Sequence, residues 1–300
     1  MRLLVTGAIS WNEKQIKELE DLGHEVFYVQ DERIPLESQE IDASQIEGVI
    51  CNGLFLYNEI TAFHSLRYIQ LTSAGYDRVP MDYIKRHQIE IHNAGSVYSI
   101  PMAEFALAGV LQLYKQSSFF YENQKQHRWE KHRGLLELSG KSVCIIGCGN
   151  VGTECAKRFR AFGCHVTGIN RHVRNDKNYE KILRLEQLES TLMRSDIVVL
   201  SVPLTDETKY LMGKEKLACI KQGAVLVNIS RGALVDTDAL IKNLPRLGGV
   251  VLDVFEEEPL SEDSPLWEME NVILTPHNSF VGEGNKARIQ KLILKNIEER

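Results

Sequence analysis

Short runs of β-branched and aliphatic residues alternate along the chain with longer segments in which apolar positions recur every three or four residues. The short runs predict strands over residues 3–6, 24–29, 48–51 and 68–71, with a helix over 11–22 between the first two. Strand–helix–strand alternation implies a parallel sheet covered by helices on both faces. After residue 138 the pattern restarts. Strands are predicted over 142–146, 165–169, 197–201, 224–228, 249–254 and 272–274, with a helix over 151–162. The chain therefore reads as α/β with two doubly wound parallel-sheet domains. Residues 100–121 predict one long helix, with Pro101 suited to its first turn. This helix is too apolar to face water all round, so it is expected to cross between domains or pack on a partner subunit. An amphipathic helix over 285–298 cannot form a domain by itself and is expected to return to the first one.

The first strand is followed only by Gly7, which is no dinucleotide signature. The second sheet differs. Gly147-Cys148-Gly149-Asn150-Val151-Gly152 follows a strand and opens a helix, which is the setting that gives GxGxxG its meaning. Gly147 permits a tight turn, Gly149 lets the backbone approach a pyrophosphate, and Gly152 allows close helix–strand packing. The free N–H groups of the helix start, from Asn150 and Val151 on, face the phosphates. The next strand ends in Gly168-Ile169-Asn170-Arg171-His172-Val173-Arg174. A carboxylate for the ribose 2′-hydroxyl is missing. Asn170 can bond a hydroxyl, and Arg171 with Arg174 can hold a 2′-phosphate, so NADP(H) is expected to be preferred and NAD(H) possible.

Three later strands run into reactive side chains. Arg231 follows one, a Glu256-Glu257-Glu258-Pro259 run follows another, and His277 follows a third. Reduction of a 2-keto acid needs these three types. Arginine clamps a carboxylate with a planar fork, histidine donates a proton to the carbonyl oxygen, and a carboxylate orients the imidazole.

Composition narrows the picture. The chain has 300 residues, 43% hydrophobic and 25% charged, enough for two domains with cores of their own. A net charge of -6 speaks against a nucleic-acid partner. The six cysteines, at 51, 144, 148, 155, 164 and 219, form no CxxC pair and read as buried free thiols, with no metal site. The first ten residues read as a strand rather than a signal peptide, and no stretch is long enough to span a bilayer. A cytoplasmic protein without membrane attachment is expected.

Together these residues resemble the D-isomer-specific 2-hydroxyacid dehydrogenases. The resemblance is carried by Ser73-Ala74-Gly75-Tyr76-Asp77, Asn93-Ala94-Gly95, Met102-Ala103-Glu104-Phe105, Glu137-Leu138-Ser139-Gly140-Lys141, the Gly147 loop, Val202-Pro203-Leu204-Thr205, and the Arg231, Glu258 and Pro276-His277 segments. It implies a Rossmann cofactor domain (96–277) inserted in a flavodoxin-like substrate domain (1–95 and 278–300), an active site in the cleft, and a homodimer. By position it implies Arg231 as the substrate-binding arginine, Glu258 as the histidine's partner and His277 as the acid/base. The backbone of Ser73, Ala74 and Gly75 is implied to grip the substrate carboxylate. Val202, Pro203, Thr205, Ile229 and Ser230 are implied to line the cofactor, and Asp253 to lie near its nicotinamide amide.

Asp77 and Glu104 read instead as a turn former and a helix or interdomain partner. Where the family often has a small residue and glycine after the histidine, Asn278-Ser279-Phe280 stands here, so Phe280 is expected to narrow or redirect the pocket. The basic 127–133 stretch reads as a solvated arm or a partner-subunit contact. The expected substrate is a small 2-keto or 2-hydroxy acid such as glyoxylate or hydroxypyruvate. A nucleotide-sensing interaction protein on the same scaffold, or a phosphoglycerate-type dehydrogenase, are the alternatives.

Overall fold

A computed structural model describes all 300 residues. The chain divides into two compact units, Met1–Tyr98 with Gly282–Arg300, and Ser99–Val281. The first unit carries strands β1 (Arg2–Thr6), β2 (Glu25–Val29), β3 (Gly48–Cys51), β4 (Tyr68–Leu71) and β5 (Glu90–His92), with helices α1 (Glu13–Asp21) and α2 (Met81–Arg86). The strands are parallel, in the order β2-β1-β3-β4-β5. Alternate residues face opposite sides of the sheet. Leu4, Val49, Cys51, Ile69 and Leu71 pack with Ile84 of α2. Leu3, Val5, Ile50 and Tyr68 pack on the other face with Leu19 of α1.

The second unit opens with α3 (Ser99–Tyr114) and α4 (Ser117–Lys125). Its strands are β6 (Ser142–Ile146), β7 (His165–Ile169), β8 (Lys181–Leu183), β9 (Ile197–Leu200), β10 (Val225–Asn228), β11 (Gly249–Leu252) and β12 (Val272–Leu274). Helices α5 (Asn150–Ala161), α6 (Leu188–Leu192), α7 (Lys214–Cys219) and α8 (Thr237–Asn243) connect them. The order is β12-β11-β10-β9-β6-β7-β8, again all parallel. β9 and β10 are buried at every residue, as strands covered on both faces must be. Val143, Ile145, Val199, Val227 and Val251 meet α3 and α5 on one face. Cys144, Ile146, Val198, Leu200, Leu226 and Val250 meet α6, α7 and α8 on the other.

The predicted helix over 100–121 is two helices. Gln116 takes a left-handed conformation with φ 52 and starts α4, while its amide Nε2 donates to the Leu113 carbonyl at 3.0 Å. No glycine or proline marks the break. α3 buries Ala103, Ala106, Leu107, Val110 and Tyr114 in the core of its own unit. It packs on α5, and Gly109 lies so close to Val251 that an added Cβ would sit 2.7 Å from a valine methyl. Glu104 pairs with Arg158 of α5 at 2.9 Å.

The last helix, α9 (Asn285–Glu298), belongs to the first unit. Ile289, Ile293 and Ile297 enter the core with Leu3, Val5 and Tyr68. Three buried isoleucines are worth roughly 1.5–3 kcal/mol each. Gln290 donates to the Ser10 carbonyl at 3.3 Å and Asn296 to Gln70 at 2.8 Å. None of the helices is long and apolar enough to cross a membrane.

Candidate active site

β6 ends in a turn that only glycines allow. Gly147 has φ 98, and a Cβ there would lie 2.6 Å from the Ser201 carbonyl oxygen. At Gly152 a Cβ would run into the Gly147 carbonyl and come within 2.9 Å of the Ser201 hydroxyl. Gly149 differs: a Cβ there would meet nothing within 4 Å, so this stretch of backbone faces open space. Gly149 is also the N-cap of α5, and no side chain caps that helix. The backbone N–H groups of Asn150, Val151 and Gly152 are thus the uncapped donors of a 12-residue helix. An exposed glycine beside uncapped N–H groups is what a dinucleotide pyrophosphate fits. Ser201, which the sequence pattern did not single out, braces the turn from β9 by donating to the Gly147 carbonyl at 2.7 Å.

The end of β7 folds against this turn. Asn170 accepts from the Cys148 N–H at 3.5 Å and donates to the His172 carbonyl at 3.0 Å. Arg174 donates to the Cys148 carbonyl at 2.6 Å. Arg171 is exposed and ion-paired with Glu207, in the loop after β9. Cys148 packs beneath, buried, with its thiol pushed up to about 11 by burial. In the loop after β9 the Val202 carbonyl accepts from the Ser230 hydroxyl, and Thr208 ties the Pro203 carbonyl and the Thr205 N–H at 2.7 and 2.8 Å. Ile229 is buried beside this segment.

Neighbouring strands β10, β11 and β12 deliver the charged side chains. Arg231 follows β10. The buried Asn228 fixes its backbone, donating to the Arg231 carbonyl at 2.9 Å and accepting from the Ser230 N–H at 3.2 Å, while the Arg231 guanidinium donates to the Ser230 carbonyl at 2.8 Å. After β11 the three glutamates part ways. Glu256 accepts from the Tyr210 hydroxyl and the Thr237 N–H, both at 2.8 Å. Glu258 accepts from the Phe255 N–H at 3.1 Å with one oxygen and meets His277 Nδ1 at 2.9 Å with the other. The Glu258–Pro259 peptide is cis.

His277 follows β12 and has φ 51. Its ring stands edge-on to Phe280, with centroids 6.1 Å apart. Asp253 holds this loop in place. Its backbone carbonyl accepts from the His277 N–H at 2.8 Å. Its carboxylate accepts from the Thr275 hydroxyl and the Asn278 N–H at 2.7 Å and from the Ser279 N–H at 2.9 Å. Expected beside the nicotinamide, Asp253 is fully buried with both carboxylate oxygens occupied, and its visible work is to position the histidine loop.

In the first unit the loop after β4 has its carbonyls satisfied. Tyr98 donates to Thr72, Ala94 N–H to Ser73 at 2.8 Å, Asn93 to Ala74 at 2.7 Å and the Ser73 hydroxyl to Gly75 at 3.0 Å. Those bonds tie back the carbonyls of the loop that carries the backbone N–H groups of Ser73, Ala74 and Gly75. Asn93 was visible in sequence only as part of a motif, and its role as the brace of this loop emerges from the fold.

The description of the family model that matches residues 107–279 is D-isomer specific 2-hydroxyacid dehydrogenase, NAD binding domain. A glyoxylate reductase of Korarchaeum cryptofilum is 33% identical over 241 residues, which are 77% of this chain and 72% of that protein. Among solved structures, a D-isomer specific 2-hydroxyacid dehydrogenase of Xanthobacter autotrophicus Py2 in complex with NADPH and MES is 27% identical with a TM-score of 0.78, covering 99% of this chain and 95% of that one. D-lactate dehydrogenase of Aquifex aeolicus, complexed with NAD and lactic acid, is 25% identical with a TM-score of 0.78, covering 99% and 94%. The chain belongs to the D-isomer-specific 2-hydroxyacid dehydrogenases and is a nicotinamide-dependent oxidoreductase of 2-hydroxy acids.

Proposed function

We propose that this enzyme works as an NADPH-dependent reductase of small 2-keto acids such as glyoxylate or hydroxypyruvate, with His277 as the proton donor. The observation that carries this reading is the His277–Glu258 pair. Its 2.9 Å bond engages Nδ1 and leaves Nε2 to hand a proton to a carbonyl oxygen. Glu258 orients the ring through that bond. Arg231 offers the fork for the substrate carboxylate. The bound nicotinamide supplies the hydride. Asp253 positions His277, and Phe280, edge-on to that ring, favours a small substituent on the substrate.

The first unit is read as the substrate domain and the second as the cofactor domain, with the pyrophosphate on the 147–152 loop and Val202, Pro203, Thr205, Ile229 and Ser230 along the cofactor. NADPH is favoured because residues 168–174 hold no carboxylate and two arginines. A nucleotide-sensing role is the poorer reading, since a sensor has no use for an oriented acid/base pair. A homodimer is inferred from the 127–133 arm, where Trp129 is 97% exposed beside an open groove of about 670 Å³ lined by Phe120 and Asn123.

The test is NADPH oxidation across a panel of 2-keto acids. Glyoxylate, hydroxypyruvate or pyruvate is expected to turn over, and Arg231→Ala to raise KM by at least tenfold. Folded protein that binds NADPH but is silent across the panel overturns the proposal.

A further inference from the structure

We propose that Glu207 tunes the choice between NADPH and NADH by competing with the cofactor's 2′-phosphate for Arg171; this rests on the reading of Arg171 as the phosphate's partner. The strand order places β6 between β9 and β7. Arg171 lies just past the end of β7, and Glu207 lies in the loop after β9. Their ion pair therefore reaches across the carboxyl end of β6, over the turn that opens α5.

The other polar groups at this edge are occupied by the turn itself. Asn170 is held by the Cys148 N–H and the His172 carbonyl, and Arg174 by the Cys148 carbonyl and Asp176. Arg171 differs from Arg174 in being held by a carboxylate alone, with no bond to a backbone carbonyl. Glu207 does not sit on a loose tail. Thr208, the next residue, ties the loop back through the Pro203 carbonyl and the Thr205 N–H. Asp206 precedes it, so the loop presents two adjacent acids.

Both partners are largely exposed, with side chains 69% and 73% accessible. Such a pair is weak enough for a phosphate to displace. A phosphate monoester carries about -1.5 to -2 charges and accepts both arms of a guanidinium. The carboxylate has to leave the guanidinium, and close to that phosphate it repels it. NADH has no 2′-phosphate and meets neither obstacle. Glu207 thus holds the preference for NADPH below what Arg171 alone would give.

Calorimetric titration of NADPH and NADH into the intact enzyme tests this. Glu207→Gln is expected to lower the Kd for NADPH about fivefold at low ionic strength, to change that for NADH less than twofold, and to lose most of its effect in 0.5 M salt, where exposed charges are screened. Arg171→Ala is expected to raise the Kd for NADPH at least fivefold and to erase the benefit of Glu207→Gln in the double variant. Weakened NADPH binding in Arg171→Ala with no change in Glu207→Gln overturns the competition and leaves the role of Arg171 standing. Unchanged NADPH binding in Arg171→Ala overturns both. Urea unfolding of each variant confirms that the folded state is retained.

Discussion

His277, Glu258 and Asp253 show what a single position can and cannot disclose. Arg231 and His277 were legible because each follows a strand at the edge where ligands of a doubly wound sheet bind. The choice among Glu256, Glu257 and Glu258 was not legible from residue type. It depends on which carboxylate the loop turns toward His277, and only Glu258 makes that bond, while Glu256 is taken by Tyr210 and Thr237. The bonds of Asp253 to the 275–279 loop were not legible in the sequence. A buried carboxylate that satisfies one hydroxyl and two N–H groups of the 275–279 loop is a fastening, and its removal leaves those donors unpaired. Asp253→Ala is expected to destabilise the enzyme by about 2–4 kcal/mol and to lower kcat at least tenfold while the NADPH Kd stays within threefold. Equal loss of turnover and cofactor binding, measured by paired kinetics and calorimetry, would show that Asp253 serves the cofactor instead.

The interior strands were the most legible elements, because runs such as Ile197-Val198-Val199-Leu200 are buried on both faces and read as unbroken apolar sequence. The missed strands are β5 and β8, both at sheet edges and three residues long. Glu-Ile-His and Lys-Ile-Leu are too short to show a period of two, and their pairing is imposed by the neighbouring strand. The break between α3 and α4 was hidden for a different reason: Gln116 adopts its left-handed conformation with no glycine to announce it.

Asp196 gives this layer a pH-dependent tie. It accepts from the Ser142 N–H at 2.9 Å, at the start of β6, and from Lys221 at 2.6 Å. Burial pushes its carboxyl up, but Lys221 and the Ser142 N–H outweigh it and hold the group below its ordinary value of 3.8. A carboxyl lowered in the folded state stabilises above its unfolded pKa and loses that contribution as the pH falls through the folded value. Asp196→Asn is therefore expected to cost about 1 kcal/mol at pH 7, with the gap to the parent narrowing below pH 3.8. Urea unfolding at pH 7 and pH 3 reads this, and a constant gap would contradict it.

For the molecule as a whole, restarting hydrophobic patterns announced two sheets, and the fold has them, with five and seven parallel strands. Assembly was less legible, because a basic arm reads first as solvated and only second as a partner contact. Trp129, 97% exposed, favours the partner. Sedimentation is expected to show a dimer, weakened at least tenfold by Trp129→Ala with the fold intact; a parent that sediments as a monomer at micromolar concentration would contradict this.

The reading of His277 as the acid of a 2-keto acid reductase is exposed most directly by one comparison. Steady-state NADPH oxidation with glyoxylate is measured for the parent and His277→Ala, alongside the NADPH Kd of each. General acid catalysis by a positioned side chain contributes about 10²–10⁴-fold, so kcat is expected to fall by that factor while the Kd changes less than twofold. A variant that retains more than a tenth of the parent kcat, or that loses turnover only because it no longer binds NADPH, would contradict it.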